Sequence, residues 1–240
     1  MHLYHLTLQK TGAITKAVFG NFSQKNAQEF AVARGTSLEL LRLDENGQVE
    51  SICSTNVFGI VRDIIPFRVT GASIDHVVVA SDSGSIAVLK FDPVNNVFEK
   101  MLQETYGKTG CRRITPGQFL AVDPNGRAIM IAALEKQKMV YVMNRDASER
   151  LTISSPLEAH KAKNILSDVV GIDVNFENPV FACLELDYAD VDTDPTGEAY
   201  EESERYLTFY QLDLGMYSRA RCCDGGVNVD LTKWLFFVGI

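Results

Sequence analysis

Apolar residues alternating at period two, turn-forming clusters between the alternating segments, and the return of that pattern every 46 to 52 residues predict an all-β chain of about four β-propeller blades. The clusters set where each strand stops, because Gly, Asn, Asp and Ser accept the backbone angles that a reversal needs. Helical stripes are scarce throughout.

The first copy runs through Phe30-Ala31-Val32-Ala33, a turn at Arg34-Gly35-Thr36, Leu38 to Leu43, a turn at Asp44-Glu45-Asn46-Gly47, and Val49 to Thr55. The second opens on Val77-Val78-Val79-Ala80, reverses at Ser81-Asp82-Ser83-Gly84, and continues with Ile86 and Val88 on one face. A further turn at Asp92-Pro93-Val94-Asn95-Asn96 leads into Val97 to Leu102, where charged residues interrupt the apolar ones as they do in an outer strand. The third copy is Ala128 to Ala133, a turn at Glu135-Lys136-Gln137-Lys138, Met139 to Met143, and Leu151 to Ser154. Val180 to Leu186 and Tyr206 to Leu212 begin a fourth. Val32, Val78, Met130 and Ala182 align at steps of 46, 52 and 52 residues, and each copy is preceded by a short apolar segment ending near Phe22, Phe67, Phe119 or Phe176.

These are not WD40 blades, since Trp234 is the one tryptophan and no Trp-Asp pair closes a repeat. A seven-bladed ring at ~45 residues per blade needs ~315 residues. At 240 residues the chain reads as an opened part of a larger ring, with a rare small propeller as the alternative.

Composition narrows the function classes. A formal charge of -8, from 31 acidic against 23 basic residues, argues against a general duplex-binding surface, because phosphate binding needs a basic footprint. Charge is uneven: residues 100 to 165 carry 11 basic and 6 acidic groups, whereas residues 166 to 215 carry 1 and 13. Cys53, Cys111, Cys183, Cys222 and Cys223 are odd in number and lack CxxC spacing, so neither a disulfide framework nor a zinc finger is expected, and a reducing compartment fits. Met1 to Leu6 lack a basic n-region and Gln9 and Lys10 follow at once, so no signal peptide is read, and no run of about 18 apolar residues offers a membrane span.

Candidate sites are few. In the acidic insertion Tyr188 to Arg205, Asp190, Asp192, Asp194, Thr196, Glu198 and Glu201 fall at positions 1, 3, 5, 7, 9 and 12 of an EF-hand-like loop. Pro195 stands at position 6, where that loop needs glycine, and the flanks read as strands, so a solvated mobile loop and no metal site is expected. Arg112, Arg113, Lys136 and Lys138 form a candidate interface for an acidic protein surface or RNA; a solvated blade edge accounts for them as well. No aromatic interleaving suits base stacking, so protein contact is expected over RNA contact. His2, His5, His76 and His160 are scattered, with no GxSxG, HExxH or Walker loop, so no catalytic residue and no cofactor is predicted. His160 beside Lys161 reads as a connection between blades, and Cys111 and Cys183 as core thiols.

Several stretches carry a family resemblance. Gly110 to Pro124, Glu135 to Lys138, Asn144-Arg145-Asp146, Ser155 to Lys161, Asp194 to Ala199 and Phe209 to Gly215 resemble the N-terminal part of the splicing factor 3b subunit 3 family. Its wider family includes the damaged-DNA-binding large subunit and the cleavage and polyadenylation specificity factor large subunit. The resemblance implies a protein several times longer, with three propellers and a helical C-terminal region. It implies a nuclear, non-enzymatic scaffold in the U2 small nuclear ribonucleoprotein, supporting branch-site recognition. The implied partners are other splicing factor 3b subunits, including the HEAT-repeat large subunit, with RNA contact indirect or weak and no membrane. Residues 1 to 215 are read as the propeller portion, and residues 216 to 240, where the resemblance stops, as a divergent tail, truncated or aberrant. Two readings stay open beside the scaffold: an adaptor of the damaged-DNA-binding, ubiquitin-ligase type, and a propeller hydrolase with groups converging on a channel.

Overall fold

The computed structural model describes residues 11–107, 114–134, 137–146, 150–160, 164–172, 177–188, 191, 195–196, 198, 204–212, 214 and 232–236. These form four antiparallel sheets. The first holds β1 (Lys16–Gly20), β2 (Glu29–Arg34), β3 (Ser37–Leu43) and β4 (Val49–Asn56), paired in that order. The second repeats the plan with β5 (Val61–Phe67), β6 (His76–Ser81), β7 (Ser85–Asp92) and β8 (Val97–Thr105). In the third, β9 (Phe119–Val122), β10 (Ala128–Leu134) and β11 (Gln137–Arg145) are followed by β12 (Leu151–Ile153) and β13 (Leu157–His160), both paired to β11. The fourth contains β14 (Asn164–Ile172), β15 (Val180–Asp187), β16 (Glu204–Gln211) and β17 (Thr232–Phe236). These are up-and-down propeller blades.

The second and third sheets are apolar on both faces because each is sandwiched between neighbours, whereas the first and fourth each pack one face. Alternate residues of β2 face opposite ways, so Ala31 and Ala33 join Leu38 and Leu40 against Val61, Ile64, Val77 and Phe91 of the second blade. The other face of the second blade, with Val78, Ala80, Ile86 and Val88, packs on Ile129, Ile131, Met139 and Tyr141 of the third. The third blade's remaining face meets Phe181, Cys183, Tyr210 and Leu212 of the fourth. β1 lies by β5, β5 by β9 and β9 by β14, so the blades follow one another around an axis with their first strands innermost.

The array is open. On the outer face of the first blade Phe19 and Phe30 pair edge to face at 5.4 Å, and both are exposed, as are Leu43 and Val49. On the outer face of the fourth, Val170 and Leu184 are exposed beside Ala182. Two sequence expectations are corrected. Leu157–His160 is a strand of the third blade, with His160 paired to Gln137, where a connection between blades was expected. Lys138 is an inward-facing residue of β11, buried, and so neither solvated nor part of an accessible interface.

Candidate functional site

The first strands of the second, third and fourth blades open into one cavity of about 390 Å3, to which the first blade adds Lys16. Arg62, Asp63, Thr115, Gln118, Phe119, Leu120, Asp168 and Val169 complete its lining. Asp63 and Asp168 occupy equivalent places. Each follows a shift of register, after Val61 on β5 and after Leu166 on β14, that turns one residue out of the ladder. Each carboxylate then accepts its own successor's N–H, from Ile64 at 3.0 Å and from Val169 at 2.8 Å. Burial pushes the Asp63 carboxyl above its ordinary value, and the Lys16 ammonium at 3.2 Å opposes that without cancelling it.

Arg62 Nη2 donates to Asp82 Oδ2 at 3.1 Å, while its buried Nε has no partner among the described residues. Among the described residues of the lining, Lys16 and Arg62 balance Asp63 and Asp168, which leaves no excess charge there to attract phosphate. Such mixed donors and acceptors suit polypeptide groups. Among the described residues, no three of His, Cys, Asp and Glu come together as a metal site.

Of the predicted interface residues, Lys138 is the one that lies among the described residues. Arg112, Arg113 and Lys136 lie outside the described residues, as do Asp190, Asp192, Asp194 and Glu201 of the calcium-loop reading and Cys111. Glu198 is described, its N–H donating to Thr196 Oγ1 at 3.3 Å. Lys138 is the correction: its ammonium lies 2.7 Å from Glu185 Oε1, between the third and fourth blades. Period two on β11 turns it toward the neighbouring blade, where Glu185 supplies the opposite charge. Cys183 is buried as expected, and burial pushes its thiol up to about 12, which makes it inert as a nucleophile.

Sequence reasoning passed over Asp63 and Asp168. The available signal was the recurrence of Asp63-Ile64-Ile65 as Asp168-Val169-Val170, an acidic residue ahead of a β-branched pair in the first strand of two blades.

The family model described as the RSE1/DDB1/CPSF1 first beta-propeller matches residues 13–232. The chain belongs to this first-propeller family. The chain is 59% identical over 217 residues to "Splicing factor 3B subunit 3" of Danio rerio, covering 90% of the chain and 18% of that relative. It is 55% identical over 236 residues to "Spliceosome-associated protein 130 A" of Arabidopsis thaliana, covering 97% of the chain and 19% of the relative. With "Pre-mRNA-splicing factor RSE1" of Mycosarcoma maydis it shares 50% identity over 249 residues, or 98% of the chain and 20% of the relative. The chain thus spans about a fifth of the length of the curated relatives it matches. The first-propeller match continues past Gly215 to residue 232, where β17 begins.

One more feature of this first propeller escaped the sequence analysis. The β4–β5 connection, Val57-Phe58-Gly59-Ile60, holds Phe58 out into solvent at 80% exposure. The loop is nevertheless tied down. Val57 and Val61 N–H donate to Thr36 and Gly35 carbonyls, each at 2.8 Å. Ile60 N–H donates to Asp82 Oδ1 at 2.8 Å, Asp82 N–H returns to Ile60 O at 3.0 Å, and Ser81 Oγ donates to Phe58 O at 2.9 Å. Gly59 sits at φ +90, and a Cβ there would meet Ser83 N at 2.9 Å, so glycine is required. The same Asp82 that fixes this loop holds Arg62 at the cavity.

Proposed function

We propose that this chain is part of a non-enzymatic scaffold subunit of the splicing factor 3b complex within the U2 small nuclear ribonucleoprotein. There it supports branch-site recognition in pre-mRNA splicing. The observation that carries the reading is the 59% identity over 217 residues to a protein named splicing factor 3B subunit 3. Its partners are the other splicing factor 3b subunits, including the HEAT-repeat large subunit; its place is the nucleus, and its contact with RNA is indirect or weak. Residues 1–215 act as the propeller portion, and of the divergent segment beyond them Thr232–Phe236 adds the last strand of the fourth blade. The charge-balanced cavity and the exposed Phe58 support protein contact over nucleic-acid contact.

Affinity purification of the tagged full-length protein from nuclear extract tests the reading. Splicing factor 3b subunits, the HEAT-repeat subunit among them, are expected to come down. Recovery of none of them would sink the assignment, and recovery of ubiquitin-ligase subunits in their place would establish the adaptor reading.

A further inference from the structure

We propose that the cleft between the first and second blades, beside Phe58, docks an extended segment of a partner protein. That segment gives an aliphatic side chain to the cleft floor and a carboxylate to Lys100. The inference rests on the scaffold reading and adds to it a surface and a partner chemistry.

The cleft lies among β4 and its outgoing loop on one side and β6, β7 and β8 on the other. Val57, Val79, Ala87, Leu89 and Phe98 make its apolar part. Its volume of about 270 Å3 falls below the ~300–1,000 Å3 of sites that enclose a small-molecule ligand, so the fitting occupant is a side chain or two of a polypeptide. Lys100 is the single charged residue among the described residues of the lining; it is exposed, and its Nζ donates to Gln103 Oε1 at 2.6 Å. An incoming carboxylate therefore meets one cation and no competing acid in the lining. Asn56 and Gln103, both exposed, offer donors and acceptors to the backbone of an extended chain, as grooves that read extended peptides do.

Phe58 supplies the anchor. A solvated aromatic on a floppy loop would lose much of its binding energy to ordering, whereas this one is held in place by hydrogen bonds before any partner arrives. Rigid aromatics beside a small apolar pocket are the usual hot spots of protein interfaces. RNA fits less well, because a single exposed ring and a single cation give neither a stacking series nor a backbone track.

The test places a photo-crosslinking benzoyl group on the ring at position 58 of the full-length protein in nuclear extract. A control carries it at position 94, where Val94 is exposed in the turn at the opposite end of the second blade. The expected result is a protein crosslink specific to position 58, to a segment with Leu, Ile or Val and Asp or Glu within a few residues. A synthetic peptide of that segment should then bind the full-length protein, lose about tenfold in affinity to Lys100→Glu, and regain it when its own acid is changed to Lys. Position 58 and Lys100 are both solvent-facing, so neither change touches the core. Crosslinks to RNA, no protein crosslink specific to position 58, or peptide binding indifferent to Lys100→Glu would each overturn the inference. If splicing factor 3b subunits co-purify with the unmodified protein while the crosslink fails, the docking site falls and the scaffold reading stands. If they never co-purify, the scaffold reading falls.

Discussion

Lys138 of β11 and Glu185 of β15 meet at 2.7 Å with side chains 3% and 0% exposed, which makes the junction between the third and fourth blades an ion pair inside an apolar interface. Glu185 Oε1 also accepts from Tyr210 at 2.7 Å, and Oε2 from Thr208 Oγ1 at 2.9 Å and Asn164 Nδ2 at 3.4 Å. Lys138 Nζ in turn donates to Asn164 Oδ1 at 3.3 Å and lies 5.4 Å from the centre of the Tyr210 ring. Burial alone would raise the Glu185 carboxyl; the ammonium and the hydroxyl donors outweigh it and leave the group below its ordinary value.

Removing one partner of this pair leaves a buried charge uncompensated. Lys138→Met is expected to cost about 3–5 kcal/mol, and the double variant Lys138→Met/Glu185→Leu to recover much of that loss. Since the folded pKa of Glu185 is depressed, its stabilisation is full above the ordinary 4.5 and is lost as pH falls through the lower folded value. Urea midpoints at pH 7 for the four members of the cycle would check the first statement, and midpoints followed below pH 4.5 the second. Equal losses for the single and double variants would contradict the pairing.

His76 titrates with the same sign for a different reason. It is buried on β6, and its Nδ1 lacks a hydrogen-bond partner among the described residues. Burial first, then Lys90 and Arg145, hold its pKa below the ordinary 6.5, against weaker opposition from Asp75 and the Phe67 backbone. The folded protein therefore binds fewer protons than the unfolded chain, and stability should decline as pH falls from 6.5 toward the lower folded value. In His76→Gln this step should vanish from a plot of Tm against pH between 7.5 and 5; a persisting step of equal size would assign it to another group.

Two glycines with positive φ separate backbone strain from crowding. At Gly126, φ +73, a Cβ would lie 1.9 Å from Arg68 O, because this turn of the third blade packs on the second, with Thr70 Oγ1 donating to Asn125 O at 2.6 Å. At Gly47, φ +75, nothing stands within 4 Å. Gly47→Ala should cost about 1 kcal/mol of conformational strain, and Gly126→Ala clearly more, since its Cβ also forces two blades apart. Thermal melts of the two variants side by side give the comparison.

The bare outer faces predict association. If they leave about 400 Å2 of apolar area in water, the forgone burial at ~25 cal/mol per Å2 is on the order of 10 kcal/mol, comparable with the whole stability of a domain. Residues 1–240 on their own should self-associate or aggregate in sedimentation velocity, and Phe19→Ser/Phe30→Ser should reduce this at equal concentration. A stable monomer with a cooperative melt would show instead that the chain closes on itself.

The strand pattern was determined by the sequence, because period-two burial and turn chemistry are local. Val32, Val78, Met130 and Ala182 all pair on second strands and all are buried, and the hairpin at Ser81 to Ser85 forms where its Ser, Asp and Gly residues predict. The number of blades and their shared plan followed from the same repeat. What tertiary structure decided is which blade face each polar residue meets. Lys138 reads in sequence as one more charge beside a turn; only the fourth blade, 47 residues further on, brings Glu185 to it and makes burial tolerable. Asp63 and Asp168 stand 105 residues apart and share a cavity only because the blades set their first strands around one axis. Phe58 looks like a core residue by type; it is exposed because hydrogen bonds from a neighbouring blade's turn hold its loop outward, and contacts at that sequence distance leave no local trace.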